Sequence, residues 1–274
     1  MNNICLTLAI VFYFLSTVGY VIYVFRQKRQ SYKIASILLS AGFVSQTVLL
    51  VARYVETGNM PVHNLHETLL LFAWSIAGVF LFFQLKFQLM VLGAFVAPLA
   101  TLLAFVASML SREPVPGDPV LKSIWLALHV VTIFIGNAAF AVAFALAIIY
   151  LIQERQIKGK KAGFFYRRFP SLNRVDSMGY ASIVVGFSML TIGFITGGIY
   201  AQLVWGRYWS WDPKEVWSLI TWLIYAALLH ERLAMGWHGR RAAIMAIIGF
   251  AALLFTFFGV NFLLEGHHAP FTKW

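Results

Sequence analysis

Eight apolar runs, each near the length needed to cross a bilayer, occupy this chain almost from end to end. They cover roughly residues 4–25, 34–52, 67–85, 88–110, 123–152, 179–200, 216–233 and 242–264. A spanning helix needs about 20 mostly apolar residues, and helices are what a chain can form where lipid offers the backbone no hydrogen bonds. The expected fold is therefore all-α: an integral membrane protein of about eight transmembrane helices, forming a single polytopic domain over residues 1–274. Charged residues make up 11% of the chain, well below the quarter or so typical of soluble domains, and no long hydrophilic stretch suggests a soluble appendage. The first run lacks a positive leader and a small-residue cleavage site. Positive charge instead follows it at Arg26, Lys28 and Arg29, so it reads as a retained span. The fifth run is long enough to tilt or to project beyond the membrane.

Lys and Arg in the connections give the orientation. Segments 26–33, 84–88, 153–178 and 231–241 hold fifteen of the 21 basic residues; the other six are Arg53, Arg112, Lys122, Arg207, Lys214 and Lys273. Placing the rich set inside puts both termini on the outer side. The net charge of +11 then marks the cytoplasmic face, not a nucleic-acid partner. The single cysteine, Cys5, excludes an internal disulfide and a cysteine-based zinc or iron–sulfur centre.

This topology places the segment WGRYWSWDPKEVW, at 205–217, on the outer face between spans six and seven. An aromatic belt at a membrane surface needs only scattered rings. Here Trp205, Trp209, Trp211 and Trp217 share a short loop with Gly206, Asp212, Pro213 and Glu215, a composition suited to a flat platform for a large planar ligand. Histidines lie at the same level. His129 enters the fifth span by about six residues, some 9 Å deep at 1.5 Å per residue, and His267 and His268 follow the last span. Imidazole is a common axial ligand of haem iron. His230 sits about 21 Å deeper along the seventh span, beyond reach of one porphyrin at the outer loop, so if it is a ligand it belongs to a second, inner site. Ionisable groups within spans are functional candidates. His63 and His66 stand three apart before the third span, on one face of a helical turn, with no third ligand in view. His238 reads as a surface residue.

The stretch WGRYWSWDPKEVWSLITWLIYAALLHER, residues 205–232, resembles the tryptophan-rich signature (the WWD motif) of the CcsA, or ResC, family, the haem-handling membrane subunits of System II cytochrome c maturation. NLHETLLLFAW at 64–74, WLALHVVTIFIGNAAF at 125–140 and GVNFLLEGHH at 259–268 resemble further family segments, so the likeness runs from about residue 55 to the end. The WDPKE sequence separates it from the CcmC-like proteins of System I. The resemblance implies a haem-presenting loop over 203–217 built from Trp205, Gly206, Trp209, Trp211, Asp212 and Glu215. It also implies axial ligation of haem iron by His129 and His267 outside and by His230 inside. Either imidazole of the His267–His268 doublet fits, with His267 favoured by register. His66 stands where the family has an aromatic residue and inherits no role. Asp212 and Glu215 suit loop-shaping hydrogen bonds and helix capping better than proton transfer.

What the resemblance implies for function is haem b delivery and attachment. The chain would act with a separate ResB- or CcsB-like subunit, which supplies the second inner histidine, in the inner membrane of a bacterium. Together they would form a holocytochrome c synthase, or haem lyase, acting on the CxxCH thiols of apocytochrome c. Two other classes fit the same residues: a HemX-like haem transporter or regulator, and a structural subunit of a respiratory complex that ligates permanent haem.

Overall fold

Lipid leaves the backbone to satisfy itself, and the chain does so with helices throughout. The computed structural model describes residues 2–87, 90–110, 122–160 and 163–264, and among these there is no strand. In chain order the helices are α1 (Asn2–Arg26), α2 (Arg29–Thr57), α3 (Leu65–Phe87), α4 (Gly93–Ser108), α5 (Ile124–Lys158), α6 (Phe164–Arg168), α7 (Leu172–Trp205), α8 (Pro213–Ala234), α9 (Arg240–Leu254) and α10 (Val260–Leu263). A 3-10 turn, Met90–Leu92, leads into α4, and a π-helical turn, Phe255–Gly259, joins α9 to α10. Every one of the eight apolar runs has thus become a long helix. At 35 residues α5 is about 52 Å long, well beyond a hydrocarbon core of about 30 Å.

Seven of these segments are long and apolar enough to cross a membrane. The remaining one, α8, is less apolar because His230, Glu231 and Arg232 interrupt its C-terminal end. Its packing nevertheless takes it through the depth of the bundle. Trp222 Nε1 donates to Thr191 Oγ1 of α7 at 2.9 Å, and three turns further along Arg232 grips Asp176 near the start of α7 at 3.1 and 2.5 Å. The two helices therefore run antiparallel along the C-terminal half of α8.

The helices form two groups, α1–α4 and α5 with α7, α8 and α9, joined where α3 packs on α5. These two helices are the most enclosed, with two thirds of their apolar stretch buried against about one third for α1, α2, α7 and α9. Lipid tails are as apolar as leucine, so helices in a membrane associate through close packing and interhelical hydrogen bonds. The first group uses the bonds. Tyr13 donates to Gln46 at 2.6 Å, and Gln46 donates onward to the Leu70 carbonyl at 2.9 Å. Tyr20 donates to Gln84 at 2.7 Å, and Gln84 to Ser36 at 2.6 Å.

The second group relies on close approach. A side chain at Gly186 would bring its Cβ within 2.5 Å of the Phe140 ring, and one at Gly136 within 3.1 Å of the Gly186 carbonyl. Phe140 has no room to retreat, because it stacks face to face on Tyr225 of α8 with ring centroids 3.6 Å apart.

The NLHE segment has a local explanation. Asn64 accepts the Glu67 N–H through its side chain at 2.9 Å, starting α3, and Glu67 then pairs with Arg53 of α2 at 2.8 Å and with His63 Nδ1 at 3.0 Å. His66 instead bonds the Ala107 carbonyl of α4 at 2.6 Å. The two histidines of the pair thus have separate partners, and no cluster of three metal-ligating side chains occurs among the described residues. His238 is exposed and bonds its own turn at the Gly236 carbonyl.

The seam sets a test. Gly186→Val should destabilise the detergent-solubilised protein by about 1–3 kcal/mol, the range for overpacking a filled interior. Gly179→Ala on the same helix, where an added Cβ meets nothing within 4 Å, should leave the melting temperature unchanged or raise it. Equal behaviour of the two variants in a thermal melt would refute the seam.

Candidate functional site

One cavity of about 260 Å³ opens between α5, α7, α8 and the π-helical turn. It is slightly smaller than the roughly 300–1,000 Å³ of a typical small-ligand pocket. His129, Trp205, Trp209 and Glu215 all line it. Residues drawn from three separate stretches of sequence are therefore brought to one wall.

His129 points from α5 toward α7. Its Nδ1 lies 2.8 Å from the Gly193 carbonyl oxygen, which also accepts the Thr196 hydroxyl at 3.2 Å. A carbonyl only accepts, so the neutral imidazole carries its proton on Nδ1 and its lone pair on Nε2. Metal-ligating histidines are held in this way, with the second ring nitrogen donating to a backbone carbonyl or carboxylate. The ring fits only because Gly197 has no side chain: a Cβ there would fall 2.5 Å from Nδ1.

The tryptophan loop is built by two caps. At its start, Gly206 ends α7 in the left-handed conformation (φ 70°), its N–H returning to the Gln202 carbonyl at 3.1 Å. Glycine is the residue suited to that backbone. At its end, Asp212 and Glu215 form a capping box around Pro213. Asp212 Oδ1 accepts the Lys214 N–H at 2.9 Å. The Glu215 carboxylate accepts the Ser210 N–H at 2.8 Å, the Ser210 hydroxyl at 3.0 Å and the Asp212 N–H at 3.2 Å.

Glu215 thus binds the residues on either side of Trp211. Trp211 itself has φ 59°, a left-handed backbone that costs a residue with a Cβ on the order of 1–3 kcal/mol. The carboxylate bridge is what holds it there. In consequence the loop is not one flat platform. The Trp209 and Trp211 rings stand at 90° with centroids 5.8 Å apart, because the chain reverses between them. Trp209 turns into the cavity, while Trp211 is 75% exposed. The assignment of Asp212 and Glu215 to capping and loop shaping is what the geometry displays.

His230 is not part of this cavity. It lies on the exposed face of α8 in line with Leu223 and Ala227, sixteen residues or about 24 Å along the helix from Lys214. Two separate histidine locations are present, as the sequence spacing indicated. His267 and His268 lie outside the described residues.

Several lining residues were not singled out by the sequence reading. Asn137, Tyr200, Ser218, Thr221 and Thr256 add polar groups to the wall, and Phe257 is turned into it by the π-helical turn. Lys214 also lines it. Burial pulls the Lys214 ammonium down to about 8, and the nearby Asp212 charge opposes that shift. Lys214 stands within the motif and was within reach of closer reading. Gly197 carries no signal of its own, since only the fold sets it against His129.

Comparison with known proteins places this architecture. Residues 62–268 match the family described as cytochrome C assembly protein. The chain is similar to the cytochrome c biogenesis protein CcsA of Chlamydomonas reinhardtii, 37% identical over 247 residues that cover 88% of this chain and 69% of the relative. It is also similar to the CcsA proteins of Guillardia theta (35% over 245 residues, 82% of this chain and 81% of the relative) and Prochlorococcus marinus (35% over 263 residues, 86% and 83%). Among solved structures, the cytochrome c haem lyase CcmF superimposes with a TM-score of 0.67 at 19% identity, over 99% of this chain and 48% of that one. That likeness speaks to the fold alone. An all-helical bundle of this topology, a capped tryptophan loop facing a buttressed histidine, and relatives of this similarity agree: the chain belongs to the cytochrome c assembly family and, within it, to the CcsA proteins.

Proposed function

We propose that this chain binds haem b in the cavity between α5, α7 and α8 and presents it at the outer face of a bacterial inner membrane for attachment to apocytochrome c. Membership among the CcsA proteins carries a role in cytochrome c biogenesis; haem delivery and attachment are the specific steps proposed here. The observation that supports them is His129, whose Nδ1 proton is committed to the Gly193 carbonyl inside a cavity walled by Trp205 and Trp209. A tautomer fixed in this way suits Nε2 to iron.

Haem is the cargo on this reading. His129 and His267 take the two axial positions at the outer site, and the tryptophan rings pack against the macrocycle. His230, on the exposed face of α8, ligates haem at an inner site together with a histidine from a ResB- or CcsB-like subunit. Such a partner has direct access to a residue on the outside of the bundle. Haem passes from the inner site to the outer one, where the CxxCH segment of apocytochrome c meets it.

Haem supplies the vinyl groups and iron. Each thioether forms by addition of a thiol S–H across a vinyl double bond, with no leaving group. The protein's contribution is therefore positioning, and neither carboxylate of the loop is needed for proton transfer. Glu215 holds Trp211 in place and Asp212 caps α8. The histidine of the CxxCH segment replaces one outer imidazole as attachment proceeds.

Haem content and visible spectra of the protein co-purified with its ResB-like partner test this reading. His129→Gly should lose most of the outer-site haem and regain it with millimolar imidazole. Gly197→Ala should show a partial version of the same loss, because the new methyl displaces the ring. Wild-type protein that never carries haem, with or without the partner, would end the proposal.

Trp211 allows a separate check. Trp211→Gly removes the backbone strain and little burial, so the melting temperature should hold or rise. Cytochrome c formation in a maturation reporter should nonetheless fall several-fold. A variant that is both stable and fully active would show that the exposed ring takes no part.

A further inference from the structure

We infer that Lys214 is the carboxylate-binding residue of the cavity, pairing with an acidic side chain of the bound porphyrin. The inference rests on the haem reading above and adds to it the group that recognises the polar edge of the ligand. Lys214 is the only lysine or arginine among the described residues that line the cavity. Two carboxylates lie within two residues of it, and neither hydrogen-bonds its ammonium among the described residues. Asp212 is buried and accepts the backbone N–H of Lys214 itself at 2.9 Å, serving as the cap of α8. Both oxygens of Glu215 are held by Ser210 and Asp212. No hydrogen bond or ion pair holds the Lys214 ammonium among the described residues.

A part-buried cation that no described side chain hydrogen-bonds is costly even with the Asp212 charge nearby. The depressed ammonium, at about 8 from burial, is a sign of that cost. An incoming carboxylate relieves it, and the charge-assisted hydrogen bond it forms is stronger than a neutral one. The rest of the wall is aromatic, aliphatic or neutral and polar, apart from the committed Glu215. A ligand that places a broad apolar ring against Trp205 and Trp209 and a carboxylate at Lys214 matches both parts. A simple fatty acid or an acidic lipid headgroup offers the charge without the ring.

Binding of haem and of its dimethyl ester, in which both carboxylates are blocked, tests the assignment. The purified protein in neutral detergent is titrated with each, followed by tryptophan quenching and the Soret band. Wild type should bind haem about tenfold more tightly than the diester, the scale of one charge-assisted hydrogen bond at a part-exposed site. Lys214→Met should lose that preference by weakening haem alone, and Lys214→Arg should keep it. Diester affinity unchanged in Lys214→Met serves as the folding control.

Equal binding of the two ligands by wild type would overturn this assignment while leaving the haem reading standing. So would a Lys214→Met variant that weakens both ligands alike, which is the mark of a structural lysine. Wild type that binds neither ligand would sink both readings. Competition of haem by vesicles of acidic lipid, absent with neutral lipid, would reassign Lys214 to a headgroup and overturn the porphyrin pairing.

Discussion

The backbone contact between α5 and α7 is the interaction on which the rest of the site depends. Gly136, Gly186, Gly193 and Gly197 strip side chains from the facing surfaces, so the two longest helices approach far more closely than leucine-faced helices would. Two consequences follow from the same closeness. Phe140 is pressed onto Tyr225, which ties α8 to the pair. One register step along, the Gly193 carbonyl comes within hydrogen-bond distance of His129 and fixes its tautomer. Packing and ligand chemistry thus share one cause. A substitution that separates these helices would disturb an imidazole about seven residues from the point of contact.

The tryptophan loop solves a different problem, that of holding large rings in position at the edge of a membrane. It does so with charge and conformational strain. One carboxylate, Glu215, spans Ser210 and Asp212 and pins Trp211 in a backbone conformation that tryptophan avoids. With the acidic groups committed to the loop, the cation between them in sequence is left to the cavity. The spacing in WDPKE therefore has a physical account at each position: a cap, a first-turn proline, a cation and a bridge.

Much of this was legible in advance. Apolar run length alone identified the eight long helices, because lipid imposes a minimum span that few soluble segments imitate. The separation of His129 from His230 followed from rise per residue, and the capping role of Asp212 and Glu215 from their place around Pro213. Less legible was the shape of the loop. A cluster of tryptophans suggested a continuous flat surface, whereas the left-handed turn at Trp211 sets neighbouring rings perpendicular. Helix ends were also longer than hydropathy indicated, since α5 and α7 continue into polar segments where helical bonding persists past the apolar run.

By itself, then, the sequence determined the class of fold, the family likeness and the residue types brought to the tryptophan loop, since these depend on local composition and spacing along one chain. Only the tertiary structure decided which of those residues meet. That Gly197 makes room for His129, that Gly193 orients it, that His230 faces outward and that Lys214 lines the cavity all depend on the register between helices distant in sequence. Register is set by the summed fit of many small contacts across each seam. No single residue encodes it.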